Sequence, residues 1–185
     1  VSDWAPDGRR IVFEDLTTLK TIAPDGSDAR VVVDSLGWQA IPKWSPTGDW
    51  IAFEGSENQP ADLANASPEF KRSVWVVRPD GRDLHRVTDE YDVEPFFSPD
   101  GSQLAFNHVV KPGSSSDAVK SIMVVDLEGR GRREIVPPTV GLEHGDWSPD
   151  GEWIVYDIET LGSNPDQPRG RGAIWAVRPD GTDRH

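Results

Sequence analysis

Trp44-Ser45-Pro46-Thr47-Gly48, followed by the apolar run Ile51-Ala52-Phe53, decides the fold because the same text returns three more times. It stands as Trp4-Ala5-Pro6-Asp7-Gly8 leading to Phe13, as Phe97-Ser98-Pro99-Asp100-Gly101 leading to Phe106, and as Trp147-Ser148-Pro149-Asp150-Gly151 leading to Tyr156. The two aromatics of each copy are 9 residues apart, and the copies recur after 40, 53 and 50 residues. A second text interleaves with the first, an apolar run that ends in Pro-Asp-Gly. It reads Leu19 to Gly26, Val74 to Gly81 and Ile174 to Gly181, with a degenerate version at Ile122 to Gly129. Self-similarity of this strictness marks a repeat protein.

Each copy carries the punctuation of a hairpin. Proline suits the second position of a type I turn, the serine ahead of it can hydrogen-bond back into the turn, and glycine takes the following position at positive φ. The flanking runs are short, β-branched and aromatic, as strands require. No stretch carries a sustained helical period, a turn or two around Leu63–Ala66 aside. Four antiparallel strands in about 40 to 53 residues read as one propeller blade. The chain is therefore expected to be all-β, with four consecutive four-stranded blades at about 1–36, 37–89, 90–140 and 141–185. The fourth should lack its outer strand, the counterpart of Arg30–Val33 and Leu84–Thr88. Fifteen strands are readable where sixteen would complete four blades. That deficit predicts a portion of a larger propeller, or else a chain that completes itself with copies of itself as a homo-oligomer.

The repeat, WSPDG…IAF…IWVVRPDG…HRVT in consensus, resembles the TolB-like β-propeller repeat, a WD-like repeat, and the likeness runs over essentially the whole chain. The resemblance implies an extracytoplasmic protein, periplasmic or secreted. It leaves function open, because such blades serve binding proteins and also the non-catalytic portions of peptidases and lyases.

Composition narrows the choice. With 32 acidic against 19 basic residues the net charge is −13, which argues against nucleic acid or an anionic membrane as partner. No apolar run reaches transmembrane length. Cysteine is absent, which excludes disulfides, thiolate metal sites and thiol catalysis without reporting the redox compartment. The chain opens at Val1 rather than Met, as after removal of a signal or within a longer protein. No Gly-x-Ser-x-Gly elbow, phosphate-binding glycine loop or calcium loop is present, and the four histidines (85, 108, 144, 185) lack metal-ligand spacing. Asn65-Ala66-Ser67 matches a glycosylation sequon, but Pro68 follows it, and Ser114–Ser116 reads as a plain loop. No catalytic residue is assigned.

Strand parity sorts the connections onto two faces. The terse Ser-Pro-Asp-Gly and Arg-Pro-Asp-Gly turns fall on one. The long connections Gly55–Ser73, His108–Lys120 and Ile158–Gly172 fall on the other, where binding is expected. Seven of the eight tryptophans fit blade packing, and Trp38 is left over. Trp38 and Tyr91, each six residues before a motif aromatic, should ring the loop-rich mouth as inter-blade packing or as anchors for a protein or peptide partner. Strict alternation along the inner strands would face the channel with Gln39, Ile41 and Lys43, then Asp92, Glu94 and Phe96, then Leu142, His144 and Asp146. Asp89 and Glu90 would add to an acidic quadrant. Asp92, Glu94, His144 and Asp146 are the candidate ligands for Ca²⁺ or another divalent cation there. A solvated acidic funnel without any cofactor is the plainer reading. Two functions survive: a non-enzymatic protein-binding scaffold, or the propeller portion of a larger hydrolase such as a prolyl oligopeptidase-like peptidase.

Overall fold

The computed structural model describes residues 1–15, 17–60, 70–89, 91–113, 117–159, 161–164, 167–169 and 172–185, with the backbone alone for 161–164 and 167–169. The expected turn at Leu63–Ala66, the sequon at Asn65, Ser114–Ser116 and Glu90 lie outside the described residues. Every described element is a strand or turn, and none is a helix long and apolar enough to cross a membrane.

Four antiparallel sheets make four blades of a propeller. Blade one is β1 (Ser2–Trp4), β2 (Ile11–Asp15), β3 (Thr18–Ile22) and β4 (Arg30–Val33), each paired with the next. Blade two is β5 (Trp38–Trp44), β6 (Ile51–Ser56), β7 (Ser73–Val77) and β8 (His85–Arg86). Blade three is β9 (Asp92–Phe97), β10 (Gln103–Lys111), β11 (Val119–Asp126) and β12 (Arg133–Val140). Blade four pairs β13 (Leu142–Trp147), β14 (Ile154–Ile158) and β17 (Ala173–Val177), while β15 (Leu161–Asn164) and β16 (Gln167–Arg169) form a separate hairpin inside its long connection. The sequence gives that connection as loop. So too with His108–Lys120, which is shorter than expected because β10 runs on to Lys111 and β11 starts at Val119. The outer strand of blade four is present only as its first residue: His185 exchanges backbone hydrogen bonds with Ala176 at 2.8 and 3.0 Å, as His85 pairs with Val76.

The turns form for the reasons their residues suggest. Gly48, Gly101 and Gly151 sit at φ 78, 72 and 73°, and each donates its N–H to the serine carbonyl three residues back at 2.8–2.9 Å. The serine hydroxyl then accepts an N–H from five residues on, Trp50 at 3.0 Å, Gln103 at 2.9 Å and Trp153 at 2.9 Å, which sets where each second strand starts. At the other turn, Arg78 lies over Trp50 at 4.0 Å and Arg178 over Trp153 at 3.9 Å, so the arginine ahead of Pro-Asp-Gly ties the two turns of its blade together.

The core lies between blades rather than within them. Trp44, Ile51, Phe53 and Trp75 of blade two pack on Val12, Leu19 and Val33 of blade one. Phe97, Leu104 and Phe106 of blade three pack on Ala52, Val74 and Val76 of blade two, and Trp147, Ile154 and Tyr156 of blade four pack on Ala105, Ile122 and Val124 of blade three. The inner-strand aromatic of blades two, three and four thus closes onto the preceding blade, which is why the repeat needs neighbours.

Candidate binding site at the channel mouth

The inner strands do not alternate strictly. In β5, Ala40 faces Glu54 and Lys43 faces Ala52, so Ile41 and Pro42 together oppose Phe53. In β9, Val93 faces Asn107 and Phe96 faces Ala105, so Glu94 and Pro95 oppose Phe106. In β13 the extra residue falls one place earlier, between Leu142 and Gly145. Each is a β-bulge, and a bulge reverses which face the residues before it present. Ile41 and Glu94 stand at φ 50 and 55°, backbone that a side chain ordinarily resists.

A polar side chain from the preceding blade holds each bulge. The Glu14 carboxylate accepts the N–H of Ile41 at 2.9 Å, and Glu54 accepts the N–H of Glu94 at 2.9 Å. Asn107, at the same repeat position, instead donates through Nδ2 to the Glu143 carbonyl at 2.8 Å. All three directly follow the aromatic of a second strand, and Asp157 occupies that place in blade four. A polar residue set in an apolar run at one phase of every repeat was the sequence signal for these latches.

Around the second and third latches the loop-side mouth encloses a cavity of about 240 Å³, lined by Glu54, Arg72, Glu94, Lys120 and Glu143 with apolar walls from Ile41, Val93 and Val109. Arg72 pairs with Glu54 at 3.1 Å, and the Lys120 ammonium reaches Glu143 at 3.0 Å and Glu94 at 3.6 Å. Asn107 Nδ2 also donates to Glu94. Three carboxylates thus surround two cations, and two buried acceptors, Glu143 Oε1 and Asn107 Oδ1, have no partner among the described residues. Burial pushes the Glu54 carboxyl up to about 7 against the opposing pull of Arg72, and burial raises Glu143 against the pull of Lys120.

A carboxyl raised in the folded state stabilises the fold fully below its unfolded value, and that contribution is lost as pH climbs through the folded value. For Glu54 the window runs from the ordinary 4.5 to about 7. Glu54→Gln keeps an oxygen for the Glu94 N–H and removes the titration. Urea unfolding should then give a flatter stability profile across this window than the parent chain, whereas an unchanged slope would assign the titration elsewhere.

The expected site residues part company here. Glu94 lines the cavity. Asp92 lies on the far side of its bulge, is 0% exposed, and is bound to Arg132 at 2.7 and 3.1 Å and to His108 at 2.8 Å. Gln39 is buried by the same reversal, its amide donating to the Leu36 carbonyl at 3.3 Å. His144 is exposed beside Asp157 at 3.5 Å. Asp146 lines a separate cavity on the short-turn side, together with Asp3 and Lys43. The four expected metal ligands are therefore divided between a buried ion pair within blade three, two faces and solvent. Among the described residues no group of three or more His, Asp or Glu is placed to hold a metal ion. The structure thus does not bring the expected Asp92, Glu94, His144 and Asp146 together, and the bulge of β9 is what parts Asp92 from Glu94. Trp38 is buried, edge-on to Phe70 at 5.7 Å with Arg72 over its ring at 5.9 Å, so it props the mouth from beneath. Tyr91, at φ 70°, is half-buried at the turn before β9.

No family model matches the chain. Among curated proteins it is similar to an uncharacterized protein of Agrobacterium fabrum, 25% identical over 165 residues that are 83% of this chain and 52% of that one. It is 31% identical to a TolB homolog of Chlorobium luteolum over 112 residues, 55% of this chain and 22% of the relative. It is 29% identical to dipeptidyl-peptidase 5 of Porphyromonas gingivalis over 126 residues, 64% and 18% of the two. The chain thus spans about half the length of the first of these relatives and less of the others. Of solved structures, a putative TolB from Agrobacterium tumefaciens superposes with TM-score 0.68 at 20% identity, over 100% of this chain and 60% of that one. Oligogalacturonate lyase in complex with manganese does so with TM-score 0.63 at 18% identity, over 100% and 51%. At these identities the superpositions establish the propeller fold.

Proposed function

We propose that this chain, a member of the TolB-like β-propeller repeat family, is a non-enzymatic scaffold that takes a segment of a protein or peptide partner at the loop-rich mouth of its channel. The observation that carries this reading is the mouth cavity itself. Its charged walls are held in place by latches between blades, and Glu143 keeps a buried oxygen, Oε1, without a partner among the described residues. Apolar walls beside fixed charges suit a side chain entering from outside. The three-to-two excess of carboxylates, on a chain of net charge −13, favours basic or neutral segments. The same reading assigns an extracytoplasmic location.

Val109→Trp tests it by filling the cavity from its rim, where Val109 is half-buried and outside the core clusters. Peptides selected from a random display library on the parent chain should bind this variant about tenfold or more weaker. Peptides that bind both proteins equally would place the partner site elsewhere. A second reading, the propeller portion of a larger peptidase, is favoured by the similarity to dipeptidyl-peptidase 5. It would require a nucleophile outside this chain, such as a Gly-x-Ser-x-Gly elbow.

A further inference from the structure

The mouth cavity is short of one positive charge. Its walls come from blades two, three and four, where Glu54, Glu94 and Glu143 meet Arg72 and Lys120. Both cations are already committed. Arg72 pairs with Glu54 at 3.1 Å, and the Lys120 ammonium stands 3.0 Å from Glu143 and 3.6 Å from Glu94. Three carboxylates against two cations leave one negative charge over when all are ionised.

The hydrogen bonds carry the same imbalance. Glu143 lines the cavity and is 6% exposed; its Oε2 accepts from Lys120, while Oε1 is buried without a partner among the described residues. Glu94 accepts from Asn107 and meets Lys120 through Oε2, and among the described residues no hydrogen bond reaches its Oε1. A buried anionic oxygen without a donor is costly, and burial accordingly holds the Glu54 and Glu143 carboxyls above their ordinary range. Arg72 Nε is a donor likewise without a partner among the described residues. Its guanidinium is paired with Glu54 and lies over the Trp38 ring at 5.9 Å, and an anion drawn to it would meet the three carboxylates. The balance of charge and of acceptors therefore favours a cation.

We infer that this cavity, on the reading that the mouth receives a partner segment, is the seat of one arginine side chain of that partner. The incoming guanidinium donates to Oε1 of Glu143 and Oε1 of Glu94, and its aliphatic stem lies against Ile41, Val93 and Val109. A guanidinium suits the site better than an ammonium. Its planar fork can reach two carboxylates at once, and its weaker hydration makes it cheaper to bring beside apolar walls. At about 240 Å³ the cavity is smaller than the roughly 300–1,000 Å³ of sites that enclose a drug-sized ligand, and it takes a single side chain.

The probe is the end-capped peptide Gly-Gly-Arg-Gly-Gly, titrated into the isotope-labelled chain and followed by NMR. It should shift the backbone amides of Val109, Ala118 and Lys120 saturably. The same peptide with citrulline in place of arginine keeps the shape without the charge and should bind about tenfold or more weaker. Glu143→Gln and Glu94→Gln should each weaken the arginine peptide by a similar factor and leave the citrulline peptide nearly unmoved. Glu134→Gln removes the same charge from an exposed position on β12, outside the cavity, and should change neither. Citrulline binding as tightly as arginine, amide shifts confined to residues outside the cavity, or Glu143→Gln and Glu94→Gln both without effect would each overturn the inference. The citrulline comparison uses the unaltered chain, so it stands even where a variant misfolds. If the two probes bind alike while display-selected peptides still weaken on Val109→Trp, the arginine anchor fails and the mouth remains the partner site. If the selected peptides are also indifferent to Val109→Trp, both readings fall.

Discussion

Arg132→Ala should cost the fold about 3–5 kcal/mol, the range seen when one partner of a buried ion pair is deleted. Its guanidinium donates two hydrogen bonds to Asp92, whose side chain is fully out of solvent, and lies over the Phe106 ring at 5.1 Å. Deletion leaves that carboxylate with His108 as its remaining side-chain partner and removes packing from a core aromatic. The double replacement Asp92→Asn with Arg132→Met removes both charges and should regain most of the loss, which separates the stranded charge from lost packing. Arg130→Ala, which breaks a pair with Asp126 made by a largely exposed side chain, should leave the urea midpoint unmoved. An Arg132→Ala midpoint as high as the parent's would mean that Asp92 is not held as described.

That pair also marks the limit of what the residues reveal before folding. Turns, strands and blade order are legible because proline and glycine act locally, and Ser45, Ser98 and Ser148 make in the structure the bonds their type suggests. The inner strands are not legible in the same way. A bulge adds one residue to one strand, and nothing in Ile41 or Glu94 signals positive φ, since neither is the glycine or asparagine that region favours. The reversal depends on carboxylates from the neighbouring blade, Glu14 and Glu54, which stand 27 and 40 residues earlier in sequence. One missed residue turned Asp92 and Gln39 from channel lining into interior groups. Trp38 stands outside the repeat pattern in the sequence, but its packing partner Phe70 lies in a long connection that no period predicts. At the mouth, Glu94 lines the cavity from the bulge of β9, whereas Lys120 and Glu143 enter through the extended β10–β11 hairpin and the bulge in β13.

Lys120 offers the second large effect, and its pH dependence tests the mouth directly. The ammonium stands between Glu143 at 3.0 Å and Glu94 at 3.6 Å, with the Lys120 and Glu143 side chains 9% and 8% exposed. Lys120→Met keeps the aliphatic length and removes the charge, leaving two carboxylates close together in a confined space. Burial already raises Glu143, and Lys120 is the first influence opposing that rise, so its loss must raise this carboxyl further. The sign follows from linkage: a carboxyl raised in the folded state supports the fold when protonated, and the support is lost as pH rises through the folded value. The penalty of Lys120→Met should therefore be small near pH 5, where Glu143 can take up a proton, and grow to about 3 kcal/mol or more near pH 8. Adding Glu143→Gln should remove most of the pH dependence, because the amide needs no counter-charge. Urea unfolding at both pH values decides the matter. A penalty equal at the two pH values would attribute the effect to packing alone, and one near zero throughout would show that solvent, rather than Lys120, balances the carboxylates at the mouth.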